Sequence, residues 1–198
     1  MKVKICGITN LPDALAAIKA GANALGFVFY KKSPRYIEPK KAKEIVDKLP
    51  PFVQTIGLFV NEDEIFINEI CFEAKMQLAQ IIDDNEIVNY DLLTVKYLKV
   101  LRAKEQKDLK NLNNDFYLVD AFVDSFGGEG KRIALEWFED IDCSRLILAG
   151  GLTVDNIKEI DGFGFYGVDV SSGVESEIKG KKDRAKMIAF VKEANEIK

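Results

Sequence analysis

The chain alternates short apolar segments with longer amphipathic segments, and this alternation constrains the fold more than any single motif. Eight apolar segments are rich in β-branched and aromatic residues, which is typical of parallel strands buried on both faces. We predict strands at residues 3–6, 24–30, 54–60, 75–81, 95–101, 115–122, 145–149 and 165–170. Since a parallel barrel closes well at eight strands, the pattern predicts an α/β protein with one (β/α)₈ (TIM) barrel domain spanning residues 1–198.

Amphipathic segments follow most of the predicted strands. Asn10 can cap the first helix and Gly21 can end it, while Asn61 can cap the third. We predict helices at residues 11–20, 39–49, from Asn61 to about 74, 83–94, 105–112, 154–160 and 183–197. An open, doubly wound sheet is the alternative, but neither G-x-G-x-x-G nor G-x-x-x-x-G-K-[ST] occurs to support a nucleotide-binding fold.

Composition excludes several classes of function. The 198 residues are 47% apolar and carry a net charge of -4, so a general basic surface for nucleic acid is not expected. No apolar run approaches the length of a membrane span, and residues 1–10 do not resemble a signal peptide, so we expect a cytoplasmic protein without membrane contact. Three widely spaced cysteines without C-x-x-C predict neither disulfides nor a zinc site.

The chain contains no histidine. This excludes histidine-based triads, histidine general bases and most histidine-ligated metal sites. Proton chemistry near neutral pH would therefore use Cys, Asp, Glu, Lys or Tyr.

In a (β/α)₈ enzyme the chemistry lies at the carboxyl ends of the strands. Cys6, Asp120 and Asp169 end predicted strands, with Gln80 as a weaker case. The thiol of Cys6 can act as a base if its pKa is lowered modestly. The alternative is a small, inert core residue, which is how we interpret Cys71 and Cys143.

Asp120 ends a very apolar strand, where burial can raise the pKa of its carboxyl group and keep it a proton donor. Capping or an ion pair in the next loop is the alternative role. For Asp169, capping of the loop after the eighth strand is the favoured interpretation, and its place at a strand end also makes it a candidate substrate-binding residue.

The segments after strands seven and eight are typical of phosphate binding. Gly150 and Gly151 allow close approach of the backbone to an anion, while Ser171, Ser172 and Gly173 offer hydroxyl and backbone donors. Glycine-rich turns without a ligand are the alternative. The basic segment 31–35 follows strand two, where Arg35 could pair with a carboxylate in a fork geometry.

Five motifs in the same order resemble the phosphoribosylanthranilate isomerase family of tryptophan biosynthesis. They are KICGIT (4–9), GFVFY-x-x-SPRYI (26–37), GLFVN (57–61), LAGGL (148–152) and VDVSSGVE (168–175), and GKKD (180–183) also matches. The resemblance implies a cofactor-free and metal-free isomerase, a monomer or homodimer, that rearranges phosphoribosylanthranilate to carboxyphenylamino-deoxyribulose phosphate. It implies that Cys6 is the general base and Asp120 the general acid. Arg35 would hold the anthranilate carboxylate, and the loops at Gly150-Gly151 and 171–173 the phosphate.

Two departures leave alternatives open. The family's Gln-Leu-His-Gly motif is replaced here by Gln77-Leu78-Ala79-Gln80, which changes contacts near the anthranilate. In the segment LVDAFVDSFGGEGK the residues after Asp120 differ from the family's usual ones, although Asp120 and the GG-x-GK of the loop 126–131, a candidate lid, are kept. The rival interpretations are another phosphate-binding barrel enzyme and a barrel retained only for binding.

Overall fold

Eight parallel strands form a closed barrel in the computed structural model, which describes residues 1–110, 112–113, 115–122 and 132–197. Each strand pairs with the next in the chain, and β8 pairs with β1 to close the ring. The strands are β1 Lys2–Ile5, β2 Ala24–Val28, β3 Gln54–Val60, β4 Leu78–Ile82, β5 Lys96–Ala103, β6 Tyr117–Ala121, β7 Leu146–Leu148 and β8 Gly167–Val170. The predicted (β/α)₈ fold is confirmed.

Side chains alternate between the inside of the barrel and the layer beneath the helices, as the two-residue period of a strand requires. Leu98, Leu118 and Ala149 form a small cluster of their own inside the barrel. The residues between them, such as Val119 and Leu148, belong to the larger core under the helices. The same alternation places polar residues on the inward side toward the carboxyl ends: Lys4, Gln80, Arg102, Asp120 and Asp169.

Five helices surround the barrel among the described residues. They are α1 Leu11–Ala20, α2 Pro39–Val46, α3 Glu64–Ala74, α4 Lys107–Lys110 and α5 Arg184–Glu196. The side chain of Asn10 accepts from the N–H of Asp13, and Gly21 ends α1 in the left-handed conformation, as predicted. Helices α1 and α5 pack together beside β1, so the first and last helices lie against each other where the barrel closes.

The predicted helix at 83–94 is wrong. The segment holds a short 3₁₀ turn, Tyr90–Leu92, and otherwise lacks helix. The carboxylate of Asp83 accepts from the N–H groups of Ile87 and Val88, and Asn89 accepts from that of Asp91. Such side-chain bonds to nearby backbone compete with a helix, which explains the failure of the prediction.

Other boundaries also differ from the predictions. Asp63, rather than Asn61, caps α3, and Lys75 ends it in the left-handed conformation, so β4 begins at Leu78 and not at residue 75. The predicted helix 105–112 shrinks to α4, and 154–160 contains the 3₁₀ turn Ile157–Ile160. The candidate lid at 126–131 lies outside the described residues. Within the described ranges, no helix is long and apolar enough to cross a membrane.

Candidate active site

Cys6 follows β1 directly and lies at the carboxyl end of the barrel. Its N–H donates to the carbonyl of Val170 at 2.8 Å, and its own carbonyl accepts from the hydroxyl of Ser171 at 3.2 Å. The next residue, Gly7, has φ +77°, and a Cβ there would stand 2.6 Å from Cδ of Arg35. Glycine therefore lets the chain turn sharply after Cys6 while Arg35 passes close by.

Burial raises the pKa of the Cys6 thiol, and the neighbouring Asp169 carboxylate adds to the rise. The ammonium groups of Lys4 and Lys182 act in the opposite direction without cancelling the effect of burial. The modest lowering of the pKa that would favour Cys6 as a base is therefore not found at this site, because desolvation exceeds the attraction of the two cations.

The other two thiols differ from Cys6 in their surroundings. Cys71 and Cys143 lie in the apolar core beneath the helices, and burial raises their pKa values to about 12 and about 11. Their interpretation as core residues agrees with this location, since a thiol in apolar surroundings is a poor nucleophile and a poor base.

Lys4 and Asp169 form an ion pair inside the barrel that the sequence did not reveal. Nζ of Lys4 donates to Oδ1 of Asp169 at 2.8 Å, and both side chains are less than a tenth exposed. The two residues face each other in the β1–β8 register. The capping role favoured for Asp169 is therefore wrong, and its predicted contact with a ligand stays a prediction.

Asp120 lies on β6 and faces the inside of the barrel, opposite Arg102 of β5 in the register. Burial raises the pKa of its carboxyl group to about 6, and the Asp169 carboxylate contributes to the rise. The N–H of Ala121 and the charges of Arg102 and Lys4 oppose it. A carboxyl group with this pKa can hold a proton near neutrality, which suits a general acid.

Arg35, Glu175 and Lys182 form a second buried charge cluster beside Cys6. Nε and Nη2 of Arg35 donate to the two carboxylate oxygens of Glu175 at 2.7 and 2.8 Å. Nζ of Lys182 donates to the same carboxylate at 3.2 Å and to the carbonyl of Ser171 at 3.0 Å. One fork edge of Arg35 is thus occupied by Glu175, and its predicted role toward a substrate carboxylate stays a prediction that would use Nη1.

The two glycine-containing loops meet at the barrel mouth. Gly150 and Gly151 have φ of +84° and +62°, conformations that favour glycine. A Cβ on Gly173 would stand 1.9 Å from the carbonyl oxygen of Leu152, so the loops after β7 and β8 are in direct contact. Within the described ranges, the N–H groups of Gly151, Ser172 and Gly173 donate no backbone hydrogen bond. They are suited to bind an anion at this junction.

Sequence reasoning missed Lys4, Glu175 and Lys182, although weak signals existed. Lys4 lies two residues before Cys6, the spacing that puts both on one face of a strand.

Gln80 also points inward, and its Oε1 is buried without a hydrogen-bond partner among the described residues. Among those same residues, no group of three or more His, Cys, Asp or Glu side chains could hold a metal ion.

The closed barrel, with a thiol, a carboxyl group of raised pKa and two adjoining glycine loops at the carboxyl ends of its strands, defines the class of (β/α)₈ proteins, here with a site suited to acid–base chemistry. A sequence profile described as N-(5'phosphoribosyl)anthranilate (PRA) isomerase matches residues 3–193. The chain belongs to the N-(5'-phosphoribosyl)anthranilate isomerase family.

Individual relatives match the chain over almost its whole length. It is 58% identical to N-(5'-phosphoribosyl)anthranilate isomerase of a Nitratiruptor species, covering 98% of both chains. A structure of monomers generated from the dimeric isomerase of Thermotoga maritima has a TM-score of 0.86, 32% identity and full coverage of both chains. A phosphoribosylanthranilate isomerase in complex with reduced 1-(o-carboxyphenylamino)-1-deoxyribulose 5-phosphate has a TM-score of 0.82 and 35% identity, also with full coverage of both chains.

Proposed function

We propose that the chain catalyses the Amadori rearrangement of N-(5'-phosphoribosyl)anthranilate to 1-(2-carboxyphenylamino)-1-deoxyribulose 5-phosphate, an isomerisation in tryptophan biosynthesis. One observation carries the proposal: Cys6 directly follows β1 and Asp120 is the penultimate residue of β6, so that both lie toward the carboxyl end of the barrel in a chain from this family. The complex of a related enzyme with a reduced form of the product supports this choice of substrate.

Asp120 serves as the general acid in the first step. It protonates the ribose ring oxygen, the bond from that oxygen to C1 breaks, and the nitrogen lone pair forms a protonated Schiff base at C1. The raised pKa of about 6 leaves part of the Asp120 population protonated near neutral pH. A positioned proton transfer of this kind contributes about 10²–10⁴ in rate.

Cys6 serves as the general base in the second step. Its thiolate takes the proton from C2, and the C–H electron pair forms the C1–C2 double bond of an enolamine as the charge on nitrogen is neutralised. The enolamine then tautomerises to the ketone. The reaction neither gains nor loses electrons overall, so one acid and one base are sufficient.

The phosphate of the substrate binds at the junction of the loops containing Gly150-Gly151 and 171–173, where the N–H groups of Gly151, Ser172 and Gly173 donate no backbone hydrogen bond within the described part of the chain. Nη1 of Arg35 binds the anthranilate carboxylate, and Asp169 lines the floor of the site. The protein works in the cytoplasm, as a monomer or homodimer, on a small-molecule substrate. The dimeric Thermotoga maritima relative supports the homodimer as one of these two states.

The test is a continuous fluorescence assay that follows the loss of phosphoribosylanthranilate. We expect turnover by the wild type, and a decrease in kcat of about 10²–10⁴ for Cys6→Ala. Cys143→Ala is the matched control, because it removes a buried thiol outside the site and is expected to retain kcat. A wild type that binds the product analogue without turnover would support a binding protein instead, while full kcat in Cys6→Ala would reject Cys6 as the base.

A further inference from the structure

Lys4 and Cys6 lie two residues apart and share the inward side of β1 and its extension. A Cβ built on Gly26 of the neighbouring strand β2 would stand 2.8 Å from Sγ of Cys6 and 3.0 Å from Nζ of Lys4. The ammonium and the thiol therefore border the same small space, and the glycine at position 26 leaves that space open for both groups.

The ammonium of Lys4 is held in place by a carboxylate on its other side. Asp169 of β8 accepts from Nζ at 2.8 Å, and Lys4 is only 5% exposed. Burial by itself would lower the pKa of Lys4, but the charges of Asp169 and Cys6 raise it above its ordinary value. Lys4 therefore remains a cation, although the barrel interior excludes most of the solvent.

The other charged groups around Cys6 do not replace Lys4. Lys182 also attracts the thiolate, but its Nζ is already bonded to Glu175 and to the carbonyl of Ser171. Asp169 repels the thiolate, and Asp120 interacts with both members of the Lys4–Asp169 pair. Of the charges acting on Cys6, Lys4 has the largest influence in favour of the thiolate.

We propose that Lys4 is a positioning residue of the active site, which acts through Cys6 by supplying the buried counter-charge for its thiolate, while Asp169 holds the ammonium in place. The proposal rests on the proposed function in one respect, namely that the thiolate is the form of Cys6 that removes the C2 proton. When the Cys6 thiol ionises, its proton leaves to solvent, and the Lys4 cation compensates the charge that remains.

A purely structural role for the Lys4–Asp169 pair makes a different prediction. If Lys4 served only to neutralise Asp169, removal of either partner would disturb the site in the same direction. If Lys4 stabilises the thiolate, the two removals have opposite effects, because Asp169 raises the pKa of Cys6 while Lys4 lowers it.

The experiment measures the rate of alkylation of Cys6 by iodoacetamide as a function of pH, with peptide mapping to identify the modified thiol. This readout depends on the thiolate fraction and not on isomerase activity. Cys6→Ala serves as the blank for Cys71 and Cys143. We expect Lys4→Met to shift the profile to higher pH and to slow alkylation at pH 8 about tenfold, as a one-unit rise in pKa would. Asp169→Asn is expected to shift the profile to lower pH.

Lys4→Met leaves the Asp169 carboxylate buried without its partner and could fail to fold. The double variant Lys4→Met/Asp169→Asn removes both charges and is expected to shift the profile to higher pH, since Lys4 has the larger effect on Cys6. Unchanged profiles in the variants that fold, or shifts in the same direction for both single variants, would overturn the proposal. If the alkylation profiles shift as expected but the wild type shows no turnover, the proposed function is rejected, while the stabilisation of the Cys6 thiolate by Lys4 is retained.

The assay of isomerase activity provides a second readout. We expect Lys4→Met to lower kcat with little change in KM, because the proposed role of Lys4 is exerted through the Cys6 thiolate, while its ammonium is bonded to Asp169. A loss confined to KM would contradict a role that acts through the thiolate.

Discussion

The two sides of the barrel mouth hold the proposed base, Cys6, and the proposed acid, Asp120, in different ways. On the base side, at β8, β1 and β2, Cys6 is surrounded by buried charges that are joined by hydrogen bonds: Lys4 with Asp169, and Arg35 and Lys182 with Glu175. On the acid side, Asp120 lies on β6 beside β5, a strand with much of its length half-exposed or exposed.

This difference matters because burial has the same effect on both groups. It raises the pKa of Cys6 and of Asp120, since a charged thiolate and a charged carboxylate are both destabilised away from water. A raised pKa helps a proton donor and hinders a base. Burial alone can therefore give the proposed acid a suitable pKa. The proposed base also requires nearby cations that lower its pKa, and carboxylates hold those cations in place.

Removal of the acid should give the largest effect and the least structural damage. We expect Asp120→Asn to lower kcat about 10²–10⁴ without lowering the melting temperature, because the replaced carboxyl group is poorly solvated and an amide fills the same space. Asp142→Asn, an exposed site on a loop, is the control and is expected to retain kcat. An Asp120→Asn enzyme with normal kcat would exclude Asp120 as the acid.

The pH dependence of kcat/KM should reflect both raised pKa values. The protonated fraction of Asp120 falls as the pH rises above about 6, while the thiolate fraction of Cys6 rises until its own, higher pKa. The two trends compensate, so we expect kcat/KM to be level between these pKa values and to fall on both sides.

Below about pH 6 the acid is already protonated, and only the loss of thiolate remains. The residual activity of Asp120→Asn lacks the compensating trend and should rise with pH up to the pKa of Cys6. A level profile in that variant, measured with the same buffers and substrate concentrations, would contradict the assignment of the lower break to Asp120.

Disruption of the charge cluster on the base side should reduce stability as well as activity. Glu175→Gln leaves Arg35 and Lys182 buried without their shared carboxylate, and we expect a loss of about 3–5 kcal/mol in the free energy of unfolding. Asp47→Asn removes the partner of Lys43 and Lys75 on the surface and should cost less than about 1 kcal/mol. Urea denaturation of both variants measures the difference, and equal losses would show that burial of the cluster is energetically unimportant.

Substitution of two glycines on neighbouring strands distinguishes an effect on packing from an effect on catalysis. A Cβ on Gly26 would press on Cys6 and Lys4, whereas a Cβ on Gly57 of β3 would press on Phe59, Phe29 and Met76 outside the barrel. We expect Gly26→Ala and Gly57→Ala each to lose about 1–3 kcal/mol of stability through overpacking. Only Gly26→Ala should also lower kcat, and equal kcat values in the two variants would contradict the close packing of Gly26 against the base.

The sequence predicted local features well where a short period or a cap determines them. All eight strands were located, α1 was bounded correctly by Asn10 and Gly21, and Cys6 and Asp120 were placed at strand ends. The prediction of a helix at 83–94 failed because the Asp83 carboxylate accepts hydrogen bonds from N–H groups of the loop that follows it. Hydrophobic periodicity does not reveal such bonds.

The charge pairs around Cys6 could not be predicted in the same way. Lys4 and Asp169 are 165 residues apart in sequence, and Arg35 and Glu175 are 140 apart. Their contacts depend on how the barrel closes, which no local pattern encodes. The raised pKa of Cys6 likewise depends on solvent exclusion by the complete barrel and not on the residues next to it.

The closure of β1 against β8 has a consequence for how the protein is made. Cys6 is translated more than 160 residues before Asp169, Ser171 and Lys182, which position it or interact with it. A nascent barrel lacking β8 holds the thiol without these partners and with its strand edge unpaired. Cys6 thus acquires its native environment only after β8 and the segment up to Lys182 have been made, and until then it depends on continued elongation to avoid oxidation or mispairing.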